Sequence, residues 1–247
     1  PAEASASGHR FVRLLGAEQR GDPLLRLDVG RHAARCGRRL ALPRGLDRLG
    51  LAEMSCIAGV GGDVKYVRTT AEGRGYYPIT EKITFVGRLI GGNIQGWGGD
   101  DVRLLDMFYK GGETIRGFRR SGIGPRDIGS LNSDALGGKN FYAGTAEIRF
   151  PLPLVPDELG MSGAVFADAG SVWDASNFAK NANKTLDPIS GRTFDLQGDG
   201  QSLRASAGLS LLWNSPLGPL RADYAFPLQR EKFDQVERFR FGASTKF

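Results

Sequence analysis

Strict alternation of apolar and polar residues is the feature that most constrains what this chain can fold into. Between residues 202 and 213, every second position is apolar: Leu203, Ala205, Ala207, Leu209, Leu211 and Trp213. The alternate positions from Ser202 to Ser210 hold only serine, arginine and glycine. A side-chain period of two belongs to a β-strand, because a helix repeats every 3.6 residues. The pattern recurs at residues 220–226, after the turn signal Asn214-Ser215-Pro216, and again at 238–247. The sequence therefore predicts long antiparallel strands.

Four further strands are predicted upstream, at residues 62–77, 81–91, 139–150 and 161–173. With the three C-terminal strands they make seven, and residues 51–57 are interpreted as the remnant of an eighth. Two long connections interrupt them, and connections of such length are usually functional or disordered. Residues 94–136 are rich in Gly, Arg and aromatic residues, so we expect order there. Residues 175–200 are polar, and their composition is that of an exposed external loop.

Alternation is shared by a soluble β-sandwich, whose apolar face forms a core, and a membrane barrel, whose apolar face meets lipid. No run of 18 apolar residues occurs, which excludes a transmembrane helix. Three features favour the barrel: aromatic residues at strand ends (Trp213, Tyr224, Phe226), strands of about 10–12 residues, and a chain that ends on Phe247 within a strand pattern. We therefore predict an all-β transmembrane barrel segment.

The composition changes abruptly near residue 55. Residues 1–55 contain no Ile, Thr, Asn, Lys, Tyr or Trp, and all six types appear afterwards. The first part also shows no sustained hydrophobic period, so we predict two parts: an off-pattern segment at 1–55, either out-of-frame or disordered, and the barrel segment at 56–247. Residues 1–50 are predicted to form no part of the barrel wall. Because residues 1–10 have no secretory signal pattern, we expect the true N-terminus to be missing.

The few reactive residues of the chain predict that it is not an enzyme. His9 and His32 are the only histidines and both precede the composition change, which excludes a histidine-based triad from the barrel part. Cys36 and Cys56 lack metal-ligand spacing, and no phosphate-binding glycine loop occurs. The formal net charge is +6, but no basic stripe follows residue 56, so nucleic acid is not an expected partner. We predict no catalytic residue, no metal and no cofactor.

One motif in the first long connection resembles that of a known family when it is taken with its neighbours. The motif is Ile115-Arg116-Gly117-Phe118. Residues 134–138, with the sequence Asp-Ala-Leu-Gly-Gly, then precede a strand that carries Glu147, and Asp168 follows on the next strand. In this order and spacing, and with a last strand that ends on phenylalanine, the sequence from about residue 59 to residue 247 resembles the BamA family of outer-membrane β-barrel assembly factors.

The resemblance implies the C-terminal half, about 7–8 antiparallel strands, of a 16-stranded transmembrane β-barrel with one long loop folded into the lumen. Members of the family carry periplasmic POTRA domains before the barrel, and no such segment is recognisable here. A half wall leaves unpaired strand edges in lipid, which is costly. We therefore expect a fragment, or a truncated or frame-shifted product, that does not close as a pore by itself.

The implied function is the assembly and insertion of β-barrel proteins into the bacterial outer membrane, without enzymatic chemistry. In the family, a substrate strand pairs with the exposed edge of the opened barrel by β-augmentation. Residues 238–247 would form one side of this lateral gate, with Phe239, Phe241 and Phe247 as the β-signal. The implied partners are unfolded outer-membrane proteins, outer-membrane lipid and, through the missing periplasmic domains, the lipoproteins of the assembly machinery.

Other functions compete with this interpretation. A TamA-like or two-partner-secretion transporter belongs to the same superfamily, but its loop motif usually has Tyr where this chain has Phe118. A passive porin would not need the loop motif or its acidic partners. A soluble β-sandwich binding module would dissolve without detergent.

Within the loop, we expect Arg116 to point into the lumen and to pair with Glu147 and Asp168. The two carboxylates lie on the polar faces of consecutive strands, so they could sit side by side and repel each other. A guanidinium fork relieves this repulsion with bidentate hydrogen bonds, which Lys cannot make. Gly117 would allow a tight backbone turn, and Phe118 would pack against the wall.

Overall fold

The computed structural model describes residues 65–243 apart from 154, 157–158, 189–190 and 217, and it also gives the backbone of three earlier strands at 26–30, 33–40 and 52–58. Phe247, which the sequence assigns to the β-signal, lies outside these residues. Within them, the strands in chain order are β1 Arg26–Gly30, β2 Ala33–Leu40, β3 Ala52–Ala58, β4 Tyr66–Pro78, β5 Thr84–Gly96, β6 Gly117–Phe118, β7 Arg126–Asp127, β8 Asp134–Ala135, β9 Asn140–Pro151, β10 Met161–Trp173, β11 Leu196–Gln197, β12 Arg204–Ser215, β13 Gly218–Gln229, β14 Val236–Glu237 and β15 Phe239–Ala243.

One antiparallel sheet forms the wall. In the described part of the chain it has ten strands, in the order β1-β2-β3-β4-β5-β9-β10-β12-β13-β15. The remaining five strands have two residues each and lie in the connections between wall strands. Consecutive wall strands are neighbours in the sheet, which is the meander expected of an up-and-down barrel wall.

The wall confirms the predicted all-β fold, with small shifts in strand bounds. β10 spans residues 161–173 as predicted, and β3 matches the remnant of an eighth strand. The strand predicted at 81–91 begins instead at Thr84 and continues to Gly96. The reason is a turn, in which the Ile79 N–H donates to the Ile83 carbonyl at 2.9 Å and the Ile83 N–H donates to Thr80 Oγ1 at 3.1 Å.

Two strands, β1 and β2, lie within residues 1–50, which the sequence analysis left out of the wall. β2 pairs with β3 from Ala34↔Ala58 to Leu40↔Ala52, and β1 pairs with β2. β3 also crosses the predicted boundary between residues 55 and 56. Sheet pairing uses backbone N–H and C=O groups, which every residue except proline supplies in full. An unusual composition therefore does not prevent a segment from pairing with an open strand edge.

The two faces of the sheet are the reverse of those in a soluble protein. On β12, the side chains of Ser206 and Ser210 are buried, whereas Leu209 and Leu211 are 57% and 39% exposed. The same outward exposure of large apolar side chains runs along the other wall strands, at Phe85, Leu89, Ile148, Val165, Phe226, Phe239 and Phe241. An exposed apolar band opposite a polar inner face is the pattern of a barrel wall in lipid and not of a sandwich core.

The first long connection, residues 97–139, folds onto the inner face and is ordered as predicted. Its buried residues Met107, Phe108, Ile115, Phe118 and Ile123 form one cluster with wall residues Ile94, Phe141, Ala143 and Val172. Phe108 and Phe141 stack edge to face, with ring centroids 4.4 Å apart. The loop thus has a hydrophobic core of its own against the wall, which fixes its position.

The second long connection, residues 174–203, is more structured than predicted. A short helix, α1 (Asn177–Ala182), begins at Ser176, whose Oγ accepts from the Ala179 N–H. Ala175 and Ala179 are buried against Leu136 of the first connection. None of the helices in the described ranges is long and apolar enough to span a membrane.

Candidate functional site

The structure brings Arg116, Glu147 and Asp168 together beneath the first long connection. Arg116 Nε and Nη2 each lie 2.7 Å from a different oxygen of Asp168, and Arg116 Nη1 lies 2.7 Å from Glu147 Oε2. The backbone N–H of Arg116 also donates to Asp168 Oδ2 at 2.9 Å. All three side chains are buried. Asp168 therefore binds both the side chain and the backbone of the loop.

The sheet register explains why the two carboxylates meet. Glu147 of β9 pairs with Phe166 of β10, and Asp168 lies two residues further along β10 on the same face. Diagonal neighbours on one face of an antiparallel pair are close enough for long side chains to contact a common partner. Two carboxylates held this close repel each other, so the guanidinium between them stabilises the arrangement.

An aromatic ring completes the binding site for Arg116. The guanidinium carbon of Arg116 lies 3.4 Å from the centroid of the Phe166 ring, which is itself buried. A guanidinium over a ring face gains cation–π attraction, most strongly where water is excluded. Burial alone would lower the pKa of Arg116, but its hydrogen bonds and charge interactions with Asp168 and Glu147 outweigh this and raise the pKa. The arginine is therefore held charged.

The other three residues of the motif shape the loop around this anchor. Gly117 has φ +91°, and a Cβ there would lie 3.2 Å from the Cβ of Ala225. Ile115 and Phe118 are completely buried in the loop cluster. In addition, Gly117 and Phe118 form β6, which pairs with β14 immediately before the last described strand. This backbone pairing, which the sequence did not predict, joins the motif to the segment that leads into β15.

A second arginine also holds Glu147. Arg221 of β13 places Nη2 at 2.7 Å from Glu147 Oε2 and Nε at 2.7 Å from Asp223 Oδ1. Arg149 donates from Nε to Glu147 Oε1 at 2.8 Å. The alternation of β13 placed Arg221 and Asp223 on its polar face, but no sequence signal identified their partners.

A separate buried ion pair lies at the start of β12. Arg204 Nε is 3.1 Å from Asp234 Oδ2, and both side chains are completely buried. Asp234 lies in the connection between β13 and β15 and also accepts from the Glu231 N–H at 2.7 Å. This pair joins the connection before the last described strand to the wall, and no pattern in the sequence indicated it.

The predicted gate residues lie apart from this cluster. Phe239 and Phe241 of β15 point outward and are 60% and 64% exposed, on the face opposite to Arg116. Within the described residues, no group of three or more His, Cys, Asp or Glu side chains could hold a metal ion. The arrangement at Arg116 can fix a loop to a wall.

The chain matches a known family over most of its length. The profile described as the Omp85 superfamily domain covers residues 40–247. The outer membrane protein assembly factor BamA of Neorickettsia risticii is 35% identical over 191 residues, which are 77% of this chain and 23% of that protein. BamA of Neisseria meningitidis is 31% identical over 205 residues, 77% of this chain and 25% of that protein. The chain thus spans about a quarter of the length of these relatives.

The chain is also similar to a more distant relative in sequence and to a solved structure in fold. The mouse sorting and assembly machinery component 50 homolog is 28% identical over 192 residues, 76% of this chain and 38% of that protein. The crystal structure of BamA from Haemophilus ducreyi lacking POTRA domains 1–3 superposes with a TM-score of 0.67 at 28% identity. That comparison covers 85% of this chain and 41% of the other.

Proposed function

Since the chain belongs to the Omp85 superfamily, we propose that it forms the C-terminal membrane-embedded part of a factor that assembles β-barrel proteins. It is a barrel segment of the bacterial outer membrane, similar to the corresponding part of BamA proteins. The proposed substrates are unfolded outer-membrane proteins. Outer-membrane lipid would contact the exposed apolar band, and the machinery's lipoproteins would bind through periplasmic domains outside this sequence.

The observation that carries the proposal is the way the loop motif is held. Arg116 is bound by Asp168 and Glu147, while Gly117 and Phe118 pair with Val236 and Glu237 just before β15. The loop is thus fastened both to the wall and to the segment that leads into β15. The loop anchor therefore supports a role in which the position of the last strand matters.

The proposed mechanism needs no catalytic group. Among the strands described here, β15 pairs along one edge with β13, and no strand lies along its other edge. An open strand edge offers a row of unpaired N–H and C=O groups. A substrate strand would pair with this edge by β-augmentation, so β15 would form one side of a lateral gate. Folding of the substrate would supply the driving force.

A transporter of the same superfamily, TamA-like or of the two-partner-secretion type, is the alternative. It would use the same anchored loop for a different cargo. A passive porin is less well supported, because the loop fills part of the inner face with a buried hydrophobic cluster. The two superfamily functions differ in what accumulates when the protein is lost. Loss of an assembly factor would leave many barrel proteins unassembled, whereas loss of a transporter would leave one secreted partner untransported.

The proposal is tested by complementation in the host organism. The substitutions are made in the host's full-length protein that contains this segment. Arg116→Ala is compared with Arg120→Ala, which removes an exposed arginine from the same loop. We expect Arg116→Ala to reduce the amounts of several folded, heat-modifiable outer-membrane proteins, and Arg120→Ala to leave them normal. Normal levels of all barrel proteins after depletion of the protein itself would contradict an assembly function.

A further inference from the structure

Arg221 and Glu147 contact each other across two intervening strands. Glu147 lies on β9 and Arg221 on β13, with β10 and β12 between them in the sheet. Adjacent strands are about 4.8 Å apart, so the two backbones would be separated by about 14 Å on a flat sheet. Arg221 Nη2 nevertheless lies 2.7 Å from Glu147 Oε2. Such a contact requires the wall to curve so that side chains on the inner face converge.

One carboxylate oxygen serves both the loop and β13. Glu147 Oε2 accepts from Arg116 Nη1 at 2.7 Å and from Arg221 Nη2 at 2.7 Å. The second oxygen, Oε1, accepts from Arg149, which lies two residues away on the same strand. Among the described residues, Arg221 is therefore the one that connects this carboxylate to a distant strand of the wall.

The guanidinium of Arg221 is held at both ends. Its Nε donates to Asp223 Oδ1 at 2.7 Å, and its Nη2 also donates to Ser210 Oγ at 2.9 Å on β12. Asp223 in turn accepts from Ser210. The contact thus joins β9, β12 and β13 on the inner face, and the Arg221 side chain is only 17% exposed.

Arg221 also lies on the strand that carries β15. In the sheet register Arg221 is opposite Gly242, and β13 is the neighbour of β15 from Leu220↔Ala243 to Tyr224↔Phe239. We infer that Arg221 is a positioning residue: through Glu147 it holds the terminal strand pair β13–β15 in its inward curve. The loop anchor and the terminal strand pair then share one carboxylate. This inference deepens the proposed function and rests on it only for the consequence at the gate.

The test is a distance measurement on the purified protein, with spin labels in place of Ile148 and Phe241. Both side chains face outward and are exposed, so labels there leave the inner cluster intact. Arg221→Gln removes the link between β9 and β13. Arg149→Gln is the matched control, because it removes a cation from the same carboxylate without cutting a link between strands.

We expect Arg221→Gln to lengthen and broaden the distance distribution and Arg149→Gln to leave it unchanged. Equal broadening in both variants would show that the loss of any cation beside Glu147 is sufficient, and would overturn the inference. An unchanged distance in Arg221→Gln would also overturn it. If Arg221→Gln does not fold, Arg221→Lys replaces it. Lys keeps the charge but lacks the planar fork, whose Nε and Nη2 bind Asp223 and Glu147 separately. An unchanged distance in Arg221→Lys would equally overturn the inference.

The same variants separate this inference from the proposed function. The distance measurement needs no substrate, so it stands whether or not the protein assembles barrels. We expect Arg221→Gln to slow assembly of a purified substrate barrel more than Arg149→Gln does. If the unsubstituted protein assembles nothing while Arg221→Gln still widens the distance, the positioning role is supported and the proposed function fails.

Discussion

Arg116 binds Asp168 with two parallel hydrogen bonds, from Nε to Oδ2 and from Nη2 to Oδ1, each 2.7 Å long. Bidentate guanidinium–carboxylate pairs combine strength with a defined orientation. Because the third nitrogen, Nη1, is left for Glu147, one side chain bridges two carboxylates on adjacent strands. The loop is therefore held in one orientation by a contact that no other side chain could reproduce.

Removal of any one member of the Arg116 cluster should be strongly destabilising. Arg116→Ala removes the cation that binds buried Asp168 and leaves Glu147 with Arg221 and Arg149 only. Losing one partner of a buried pair costs about 3–5 kcal/mol. Arg116→Ala and the double variant Glu147→Ala/Asp168→Ala should show similar losses, and the triple variant should add little. Denaturant unfolding measures these values in a double-mutant cycle. Fully additive losses would mean that the three residues do not act as a unit.

Gly117→Ala should displace the loop even though it adds only one methyl group. Gly117 has φ +91°, and a Cβ would lie 3.2 Å from the Ala225 Cβ. Backbone strain of this kind costs about 1–3 kcal/mol, before any clash is counted. Gly99→Ala is the matched control, because Gly99 has φ +90° and nothing within 4 Å of its added Cβ. Limited proteolysis of the loop should be faster in Gly117→Ala than in Gly99→Ala. Equal rates would mean that the contact with Ala225 adds nothing to the backbone strain that both variants share, and would contradict the prediction.

Breaking the Arg204–Asp234 pair should destabilise the connection that precedes β15. Both side chains are completely buried, so Asp234→Asn leaves an uncompensated guanidinium and should cost about 3–5 kcal/mol of unfolding free energy. Lys184→Gln provides the comparison, since the Lys184–Asp195 pair is largely exposed. We expect no measurable change in the unfolding midpoint of Lys184→Gln. A similarly small effect of Asp234→Asn would contradict the prediction.

Lys110 should make the stability of the loop depend on pH. Burial, together with the charges of Arg68 and Arg88, lowers the pKa of Lys110 from 10.5 to about 8. The unfolded chain then binds more protons than the folded one between these two values, so stability rises with pH from about 8 to about 10.5. Unfolding midpoints measured from pH 7 to pH 10.5 should rise in the unsubstituted protein relative to Lys110→Met. Parallel pH profiles in the two proteins would contradict a lowered pKa.

Much of the fold followed from the sequence alone. Alternation along β10 and β12 correctly predicted the strands and their inner faces, because a side-chain period of two is a local property of extended backbone. It also placed Glu147 and Asp168 on the inner face. A family motif then indicated that Arg116 would be their partner. Each of these steps needs only residues close together in the chain or a pattern that recurs in relatives.

The contacts that join distant parts of the chain were decided by the tertiary structure. The link from Arg221 to Glu147 spans 74 positions in sequence, and Arg204 and Asp234 lie 30 positions apart. Alternation identified the inner face for Arg221 but not its partner, because that partner depends on the curvature of the wall. The pairing of β1 and β2 with β3 was also unpredictable, since backbone hydrogen bonds are available to almost any sequence beside an open edge. Local chemistry thus determined which side chains face inward, and the curvature and register of the assembled sheet determined which of them meet.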